Sequence, residues 1–119
     1  PMTRLFVILL TCLASLATSA QTPKVNWKKV KVLVYTKNGK GYVHDNIPFA
    51  VRAMQRLGRE HGFQVDTSGR PEVFTEANLR QYNALIFTST NNDVFDTDAQ
   101  RLALRRYIES GGGFVGIHS

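Results

Sequence analysis

The sequence has little cysteine. Among its 119 residues the one cysteine is Cys12, which falls inside an apolar segment with the features of a secretory signal peptide. Arg4 supplies the positive start of that segment, residues 5–17 its largely apolar centre, and residues 18–20 the small side chains of a cleavage site. We therefore expect a mature chain that begins near Gln21 and has no thiol. Such a chain can form neither a disulfide nor a cysteine nucleophile.

The chain also lacks a long hydrophobic run. Its apolar segment is shorter than the roughly 20 residues that a membrane span needs, and the polar residues Gln21 and Thr22 follow it. No Asn-x-Ser/Thr acceptor for N-linked glycans occurs. We expect no stable membrane span after signal cleavage, and a periplasmic or secreted location.

Motifs for nucleotide binding are absent as well. Gly39 and Gly41 do not extend to Gly-x-Gly-x-x-Gly, and Lys40 lacks the neighbours that a P-loop requires. The formal net charge of +6 is moderate, and it does not by itself identify a nucleic-acid-binding protein. No nucleic-acid partner is therefore expected.

What is present is a pattern of alternating strands and helices. The hydrophobic content of 43% and the charged content of 20% fit one packed domain. Strands are predicted at residues 29–36, 63–66, 83–89 and 114–119, and helices at residues 46–62, 75–79 and 97–110. This alternation predicts an α/β fold in which a parallel sheet has flanking helices. With no helix after the last strand, we expect a sheet truncated after about four strands.

Two of the helices have distinct end signals. In the first, Asp45 or Asn46 can cap the start and Gly62 the end. Its predicted buried stripe is Ala50, Ala53, Met54 and Leu57. In the last helix, Thr97 and Gln100 fit a capping box. Its predicted apolar side is formed by Leu104, Tyr107 and Ile108.

Polar residues follow three of the predicted strands. In an open parallel sheet, ligands bind beyond the carboxyl ends of the strands. The candidates are Lys37, Tyr42, His44 and Asp45 after the first strand, Ser89, Thr90 and Asn91 after the third, and His118 and Ser119 after the fourth. We interpret Tyr42, Asp45, Ser89 and Thr90 as ligand-binding candidates, and His44, His118 and Ser119 as catalytic candidates.

The histidines allow more than one interpretation. His44 beside Asp45 fits a general base oriented by a carboxylate or a metal ligand, but Asp45 could equally cap the helix while His44 packs against it. His118 ends a Gly-rich apolar strand, where a plain core residue would be expected. Ser119 could be a nucleophile of a hydrolase. Two histidines without a fixed spacing do not define a metal site, so none is predicted.

Five segments follow one another in a characteristic order. They are residues 31–36, Gly-Tyr-Val-His-Asp-Asn-Ile at 41–47, Phe-Thr at 74–75, residues 82–87 and Gly-Gly-Gly-Phe-Val-Gly-Ile-His-Ser at 111–119. In order and separation they resemble the N-terminal half of a ThuA-like, trehalose-utilisation domain. The resemblance implies a flavodoxin-like α/β fold related to class I glutamine amidotransferases, and a role in carbohydrate utilisation in proteins that bacteria often export.

The resemblance also bears on the chemistry. Amidotransferase relatives have a Gly-x-Cys nucleophile turn after the equivalent strand, whereas this chain has Gly116-Ile117-His118. Without that thiol, amidotransferase activity is not expected. By family position, His44, His118 and Ser119 would face the pocket.

These observations divide the chain into a signal peptide at residues 1–20, a basic lead-in at 21–28 and the N-terminal part of a ThuA-like domain at 29–119. The expected partner is a small-molecule sugar or sugar derivative, which the domain binds or processes. No cofactor is indicated. The alternative is a non-catalytic module of a larger secreted carbohydrate-active protein.

Overall fold

The computed structural model describes residues 23–118, so the predicted signal peptide and Ser119 lie outside the described residues. The elements in chain order are β1 (Lys31–Tyr35), α1 (Ile47–His61), β2 (Gln64–Ser68), α2 (Glu76–Leu79), β3 (Ala84–Thr88), α3 (Asp98–Glu109) and β4 (Gly113–Ile117). Two 3-10 turns lie at Trp27–Lys29 and Pro71–Val73. Within residues 23–118, no helix combines the length and the apolar character needed to cross a membrane.

The four strands form one parallel sheet in the order β2-β1-β3-β4. This arrangement confirms the predicted flavodoxin-like α/β fold. The chain moves outward from β1 to β2 and then crosses back to β3, so the strand order reverses between β1 and β3. In open α/β sheets the carboxyl ends of the strands beside such a reversal are the usual ligand position.

The central strands are buried on both faces. Leu33 and Tyr35 of β1 pack in the larger core with residues of α2 and α3, whereas Val32 and Val34 pack on the opposite face, where α1 lies. All four side chains are at most 6% exposed. Because successive strand residues point to opposite faces, a strand that is covered on both sides has a continuous apolar sequence.

Helix α1 begins and ends near the predicted residues. Asn46 occupies the N-cap position without a side-chain cap hydrogen bond, so the expectation that Asp45 or Asn46 caps the helix with its side chain is wrong. Gly62 ends the helix in the left-handed conformation with φ 85°. Glycine adopts this conformation without the steric cost that a Cβ brings.

The predicted buried stripe of α1 is only half-buried. The fully buried positions of this helix are Ile47 and Gly58, while the predicted Ala50, Ala53, Met54 and Leu57 all remain partly exposed. A Cβ on Gly58 would lie 2.8 Å from the Cγ2 of Val65. The helix therefore comes closest to the sheet at a residue without a side chain, which an apolar pattern does not reveal.

Strand β2 starts one residue later and ends two residues later than predicted. Phe63, the predicted first residue, instead packs against Trp27 of the lead-in, with ring centroids 5.7 Å apart. Asp66, Thr67 and Ser68 still pair with β1. Backbone pairing with a central strand thus extends β2 through residues whose polar side chains give no strand signal.

Helix α3 has the predicted capping box. The Thr97 side chain accepts from the Gln100 N–H at 3.3 Å, and the Gln100 side chain accepts from the Thr97 N–H at 3.3 Å. Such a cap stabilises a helix by about 1 kcal/mol. The buried side contains Ala103 and Tyr107, but Ile108 is 44% exposed, so its predicted place in the core is wrong. Thr75 caps α2, because its side chain accepts from the Asn78 N–H at 3.2 Å.

A polar cluster closes the amino-terminal edge of the sheet. The Tyr82 hydroxyl donates to Asp66 at 2.7 Å, and the Lys31 ammonium lies 2.9 Å from the same Asp66 oxygen. The hydrogen bond from Lys31 lowers the pKa of Asp66. Burial, together with the bond to Asp66, raises the pKa of Tyr82 to about 12.

Candidate functional site

The candidate site is the rim formed by the carboxyl ends of the strands. Two loops build it: the first rim loop, residues 36–46 after β1, and the second rim loop, residues 89–97 after β3. His118 follows β4 at the same edge. Because β1 and β3 are the strands between which the strand order reverses, the two loops flank the position where α/β folds bind ligands.

Asparagine side chains join the two rim loops. The Asn38 carbonyl oxygen accepts from the Asn91 N–H at 2.8 Å, and the Asn38 amide donates to the backbone oxygen of Tyr42 at 2.8 Å. Asn91 donates to that same Tyr42 oxygen at 3.0 Å, and Asn92 donates to the Lys40 oxygen at 2.6 Å. The loops are therefore held together through amides that both donate and accept.

Asn38 and Asn92 were not among the predicted site residues. Neither belongs to an apolar pattern, and neither is a titratable group, so neither attracted a chemical interpretation. A signal for Asn38 was present, since Asn-Gly is a turn dipeptide and Gly39 follows directly. The signal identifies a turn, however, and not the loop with which the asparagine pairs.

Gly39 lets the two rim loops meet. Its N–H donates to the Asn91 oxygen at 2.8 Å. A Cβ at this position would lie 2.6 Å from the backbone oxygen of Asp93 and 2.7 Å from that of Asn91. Because both neighbours are backbone atoms, they cannot rotate away from a side chain, and the contact requires glycine.

Beneath the loops, the strand ends are tied together by hydroxyl groups. The Tyr35 hydroxyl donates to the Val94 oxygen at 2.6 Å, and the Thr88 hydroxyl donates to the Tyr35 oxygen at 2.9 Å. Burial raises the pKa of Tyr35. On the outside, Lys37 donates to Asp96 at 2.5 Å. This pairing makes Lys37 a connector between the loops.

Three aromatic rings meet on the rim. The His44 and His118 rings have centroids 5.9 Å apart and an interplanar angle of 61°. The Tyr42 ring packs edge-to-face on His44 at 4.9 Å. His118 is exposed, His44 half-buried, and Tyr42 69% exposed. Residues separated by more than 70 positions in sequence are thus neighbours, and all three are at least partly exposed.

Ser89 lies beside this cluster in an unusual conformation. It has a positive φ of 49°, and its N–H donates to the oxygen of Ile117, the residue before His118. The Ser89 hydroxyl is fully buried and has no hydrogen-bond partner among residues 23–118. A left-handed serine costs about 1–3 kcal/mol, and an unpaired buried hydroxyl adds to that cost. Such features concentrate at functional positions.

The other predicted site residues are less closely connected. Asp45 is exposed, and no hydrogen bond joins it to His44 in the described part of the chain. Thr90 is half-buried next to Ser89. Ser119 lies outside the described residues. His61 ends α1, away from the rim, and packs on Trp27 with ring centroids 6.1 Å apart. The catalytic and binding roles assigned to the rim residues remain predictions.

A cavity of about 510 Å³ lies elsewhere, against α2, α3 and the strand amino ends. Its wall includes Arg106, which is paired with Glu76, and Tyr107, whose hydroxyl donates to the Tyr82 oxygen at 3.0 Å. These groups already have partners within the fold. Among residues 23–118, the ring nitrogens of His44 and His118 have no hydrogen-bond partner, so the rim is the better candidate for binding.

Comparison with known proteins places this architecture in a family. The chain matches the ThuA family, described as trehalose utilisation, over residues 31–119. The chain belongs to the ThuA family. A solved structure of a ThuA-like protein from Bacteroides uniformis ATCC 8492 is 27% identical, with a TM-score of 0.62. That similarity covers 82% of this chain and 39% of the Bacteroides uniformis chain. No curated protein matches the sequence.

The family assignment agrees with the segments on which the predicted resemblance rested. The matched residues 31–119 include both rim loops and the Gly-rich strand that precedes His118. The chain spans well under half the length of the Bacteroides uniformis structure. In this ThuA-family chain the rim of the sheet is the part that brings separate motifs together.

Proposed function

We propose that this ThuA-family chain binds a sugar or sugar derivative at the rim, as part of an exported protein of carbohydrate utilisation. The observation that carries the proposal is the contact of Tyr42, His44 and His118 at the carboxyl ends of the strands. The family description, trehalose utilisation, supports a sugar as the ligand class.

The side chains fit the chemistry of a sugar. A sugar presents many hydroxyl groups, which need both donors and acceptors, and a neutral imidazole offers one of each. The exposed ring of Tyr42 adds a flat apolar surface against which the carbon face of a sugar ring can pack. Binding sites commonly combine apolar rings with a few converging polar groups in this way.

The same imidazoles can also take part in proton transfer with a bound sugar. Histidine is the side chain whose ordinary titration falls nearest neutral pH, so it can accept a proton from a hydroxyl group or donate one to it. With ring centroids 5.9 Å apart, His44 and His118 can contact neighbouring groups of one ligand. We infer acid–base or polar binding roles for both histidines.

Export is the second part of the proposal. Its support is the order of positive, apolar and small residues in positions 1–20. The expected mature amino terminus lies near Gln21. Mass spectrometry of the protein recovered from periplasm or medium should find that terminus, and a protein retained inside the cell with positions 1–20 intact would contradict export.

Calorimetric titration tests sugar binding. The purified full-length protein is titrated with a panel of disaccharides, trehalose included, and of oxidised sugars. We expect at least one ligand to bind, and His44→Ala and His118→Ala each to weaken that binding about tenfold, or about 1.4 kcal/mol. His61→Ala, which changes a histidine at the far end of α1, is the matched control. Absence of binding, or equal binding by a variant that lacks both rim histidines, would refute the proposal.

A further inference from the structure

The outer face of helix α1 carries a row of arginines. Arg52, Arg56 and Arg59 recur at spacings of four and three residues, which place them on one side of a helix. Phe49, three residues before Arg52, begins the same row, and all four side chains are exposed. Together with Ala53 they line one groove of about 400 Å³. Because α1 packs on the sheet through other residues, this row faces away from the core.

The positive charge of this row is only weakly compensated. Arg56 lies 3.8 Å from Glu60, the one acidic residue of α1, but both side chains are more than half exposed, so their pairing is weak. Arg52 and Arg59 form no ion pair among residues 23–118. The guanidinium carbon of Arg52 instead lies 4.5 Å from the centroid of the Phe49 ring. This contact keeps the full charge at the surface.

The basic lead-in continues this surface at the end of α1. The Trp27 ring packs on His61, the last residue of α1, and the Lys28 side chain lies beside Gly62. Trp27 is 46% exposed, and Lys28 is exposed as well. Residues 23–30 contain three lysines and no acidic residue. The basic surface, as we call this set, consists of Trp27, Lys28, Phe49, Arg52, Arg56 and Arg59.

Exposed aromatic rings among cations match the chemistry of an anionic membrane surface. Guanidinium and ammonium groups attract the phosphates of lipid headgroups, and Trp and Phe rings are favoured at the boundary between headgroups and acyl chains. Duplex DNA also offers phosphates, but its backbone has no apolar counterpart for Trp27 and for Phe49, which is 66% exposed. We infer that the basic surface binds membranes of anionic phospholipid. None of the rim side chains belongs to this surface.

Vesicle sedimentation at low salt tests this inference. The protein is prepared from Gln21 onward, so that the apolar residues 5–17 cannot themselves bind lipid. One set of vesicles contains equal parts of phosphatidylglycerol and phosphatidylcholine, and the other contains phosphatidylcholine alone. We expect sedimentation with the anionic vesicles only, and its loss in about 1 M salt, where charges are screened beyond about 3 Å. Sedimentation with both kinds of vesicle, or with neither, would overturn the inference.

Two double variants separate the basic surface from the net charge of the chain. Arg52→Gln with Arg59→Gln should weaken binding to anionic vesicles about 25-fold, since each cation near such a membrane contributes about fivefold. Arg70→Gln with Arg105→Gln removes the same charge from exposed arginines elsewhere and should bind almost as the unaltered protein does. All four side chains are exposed, so both variants should fold. Equal weakening in the two variants would contradict a role for the basic surface.

Phe49→Ala and a DNA duplex identify the partner as lipid. Without the Phe49 ring, binding to anionic vesicles should weaken several-fold, and the duplex should bind the unaltered protein more weakly than the vesicles do at the same salt concentration. Tighter binding of the duplex, or vesicle binding that Phe49→Ala leaves unchanged, would overturn the lipid assignment. No sugar is present and no rim residue is changed, so failure of these measurements is distinct from failure of the sugar titration.

Discussion

The side chain of Asn38 holds the backbone of Asn91: its carbonyl oxygen accepts the Asn91 N–H at 2.8 Å, while its amide donates to the oxygens of Gly39 and Tyr42. One asparagine thus organises the first rim loop and fastens it to the second. The position of His44 in the first loop depends on this connection. The backbone oxygen of Tyr42 accepts the hydrogen bond from Asn38, and the Tyr42 ring packs on His44.

Replacing Asn38 should therefore weaken both the fold and the site. Asn38→Ala removes three hydrogen bonds and leaves the Asn91 N–H without its partner, so we expect a loss of about 2 kcal/mol in the free energy of unfolding. Urea denaturation measures it. Asn26→Ala is the control, since the Asn26 side chain makes no cap hydrogen bond. Equal stability of the two variants would show that the loops do not depend on Asn38.

Gly39 gives a steric test of the same contact. In Gly39→Ala the new Cβ would meet the backbone oxygens of Asp93 and Asn91 at less than 3 Å, and the loops must separate. Overpacking of this kind costs about 1–3 kcal/mol, which thermal unfolding can measure. In Gly116→Ala the new Cβ meets its nearest atom, on Phe114, at 3.9 Å. That variant should be far less affected, and a reversed order would contradict the described loop contact.

We expect that Ser89 lowers the stability of the fold but contributes to sugar binding. Ser89→Gly relieves the positive φ and removes the buried hydroxyl, which has no hydrogen-bond partner within residues 23–118. The relief of about 1–3 kcal/mol exceeds the roughly 0.4–1 kcal/mol that glycine costs through the unfolded chain. We expect the unfolding free energy to rise while sugar affinity falls.

The comparison variant for Ser89 is Ser89→Ala, which removes the hydroxyl but keeps a Cβ at positive φ. Its unfolding free energy should lie below that of Ser89→Gly in urea denaturation. If Ser89→Gly is instead less stable than the unaltered protein, the strain assigned to this residue is wrong. If its sugar affinity is unchanged, the serine has no part in the site.

The lowered pKa of Asp66 predicts that the stability of the fold depends on pH in the acid range. The hydrogen bond from Lys31 lowers the pKa of Asp66 in the folded state below its value of about 3.9 in an unfolded chain. The charged carboxylate therefore stabilises the fold above that pH, and the contribution is lost as the pH falls through the lowered pKa. The effect is modest because the side chain is 45% exposed.

The measurement is urea denaturation of the unaltered protein and of Asp66→Asn at several pH values. Near neutral pH the unaltered protein should be more stable than Asp66→Asn, and this difference in the free energy of unfolding should vanish in acid. Asp45→Asn, which changes an exposed carboxylate, is the control. A difference that stays constant across the acid range would contradict the ion pair with Lys31.

The order of the elements could be predicted because it depends on local sequence signals. The continuous apolar run at residues 32–35 identifies a central strand, and Thr97 with Gln100 identifies a helix start. The predictions were wrong where tertiary contacts, and not local sequence, determine the packing of a helix or the length of a strand. Gly58 packs closest to the sheet because it has no side chain, and β2 extends to Ser68 because β1 offers its backbone for pairing.

The candidate site was predictable in outline only. Parallel strand ends share one edge, so the sequence could bring His44 and His118 to the same rim. It could not show that Asn38 joins the loops, because that contact connects residues 53 positions apart through a single amide. Nor could it show the left-handed backbone or the burial of the Ser89 hydroxyl.

The most direct test follows the imidazole NMR signals of the full-length protein while the sugar panel is added. If His44 and His118 line one binding site, a ligand should shift both of their signals with the same concentration dependence and leave the His61 signal in place. Signals of the two rim histidines that stay unchanged under saturating ligand, or that respond to different ligands, would contradict a shared sugar site.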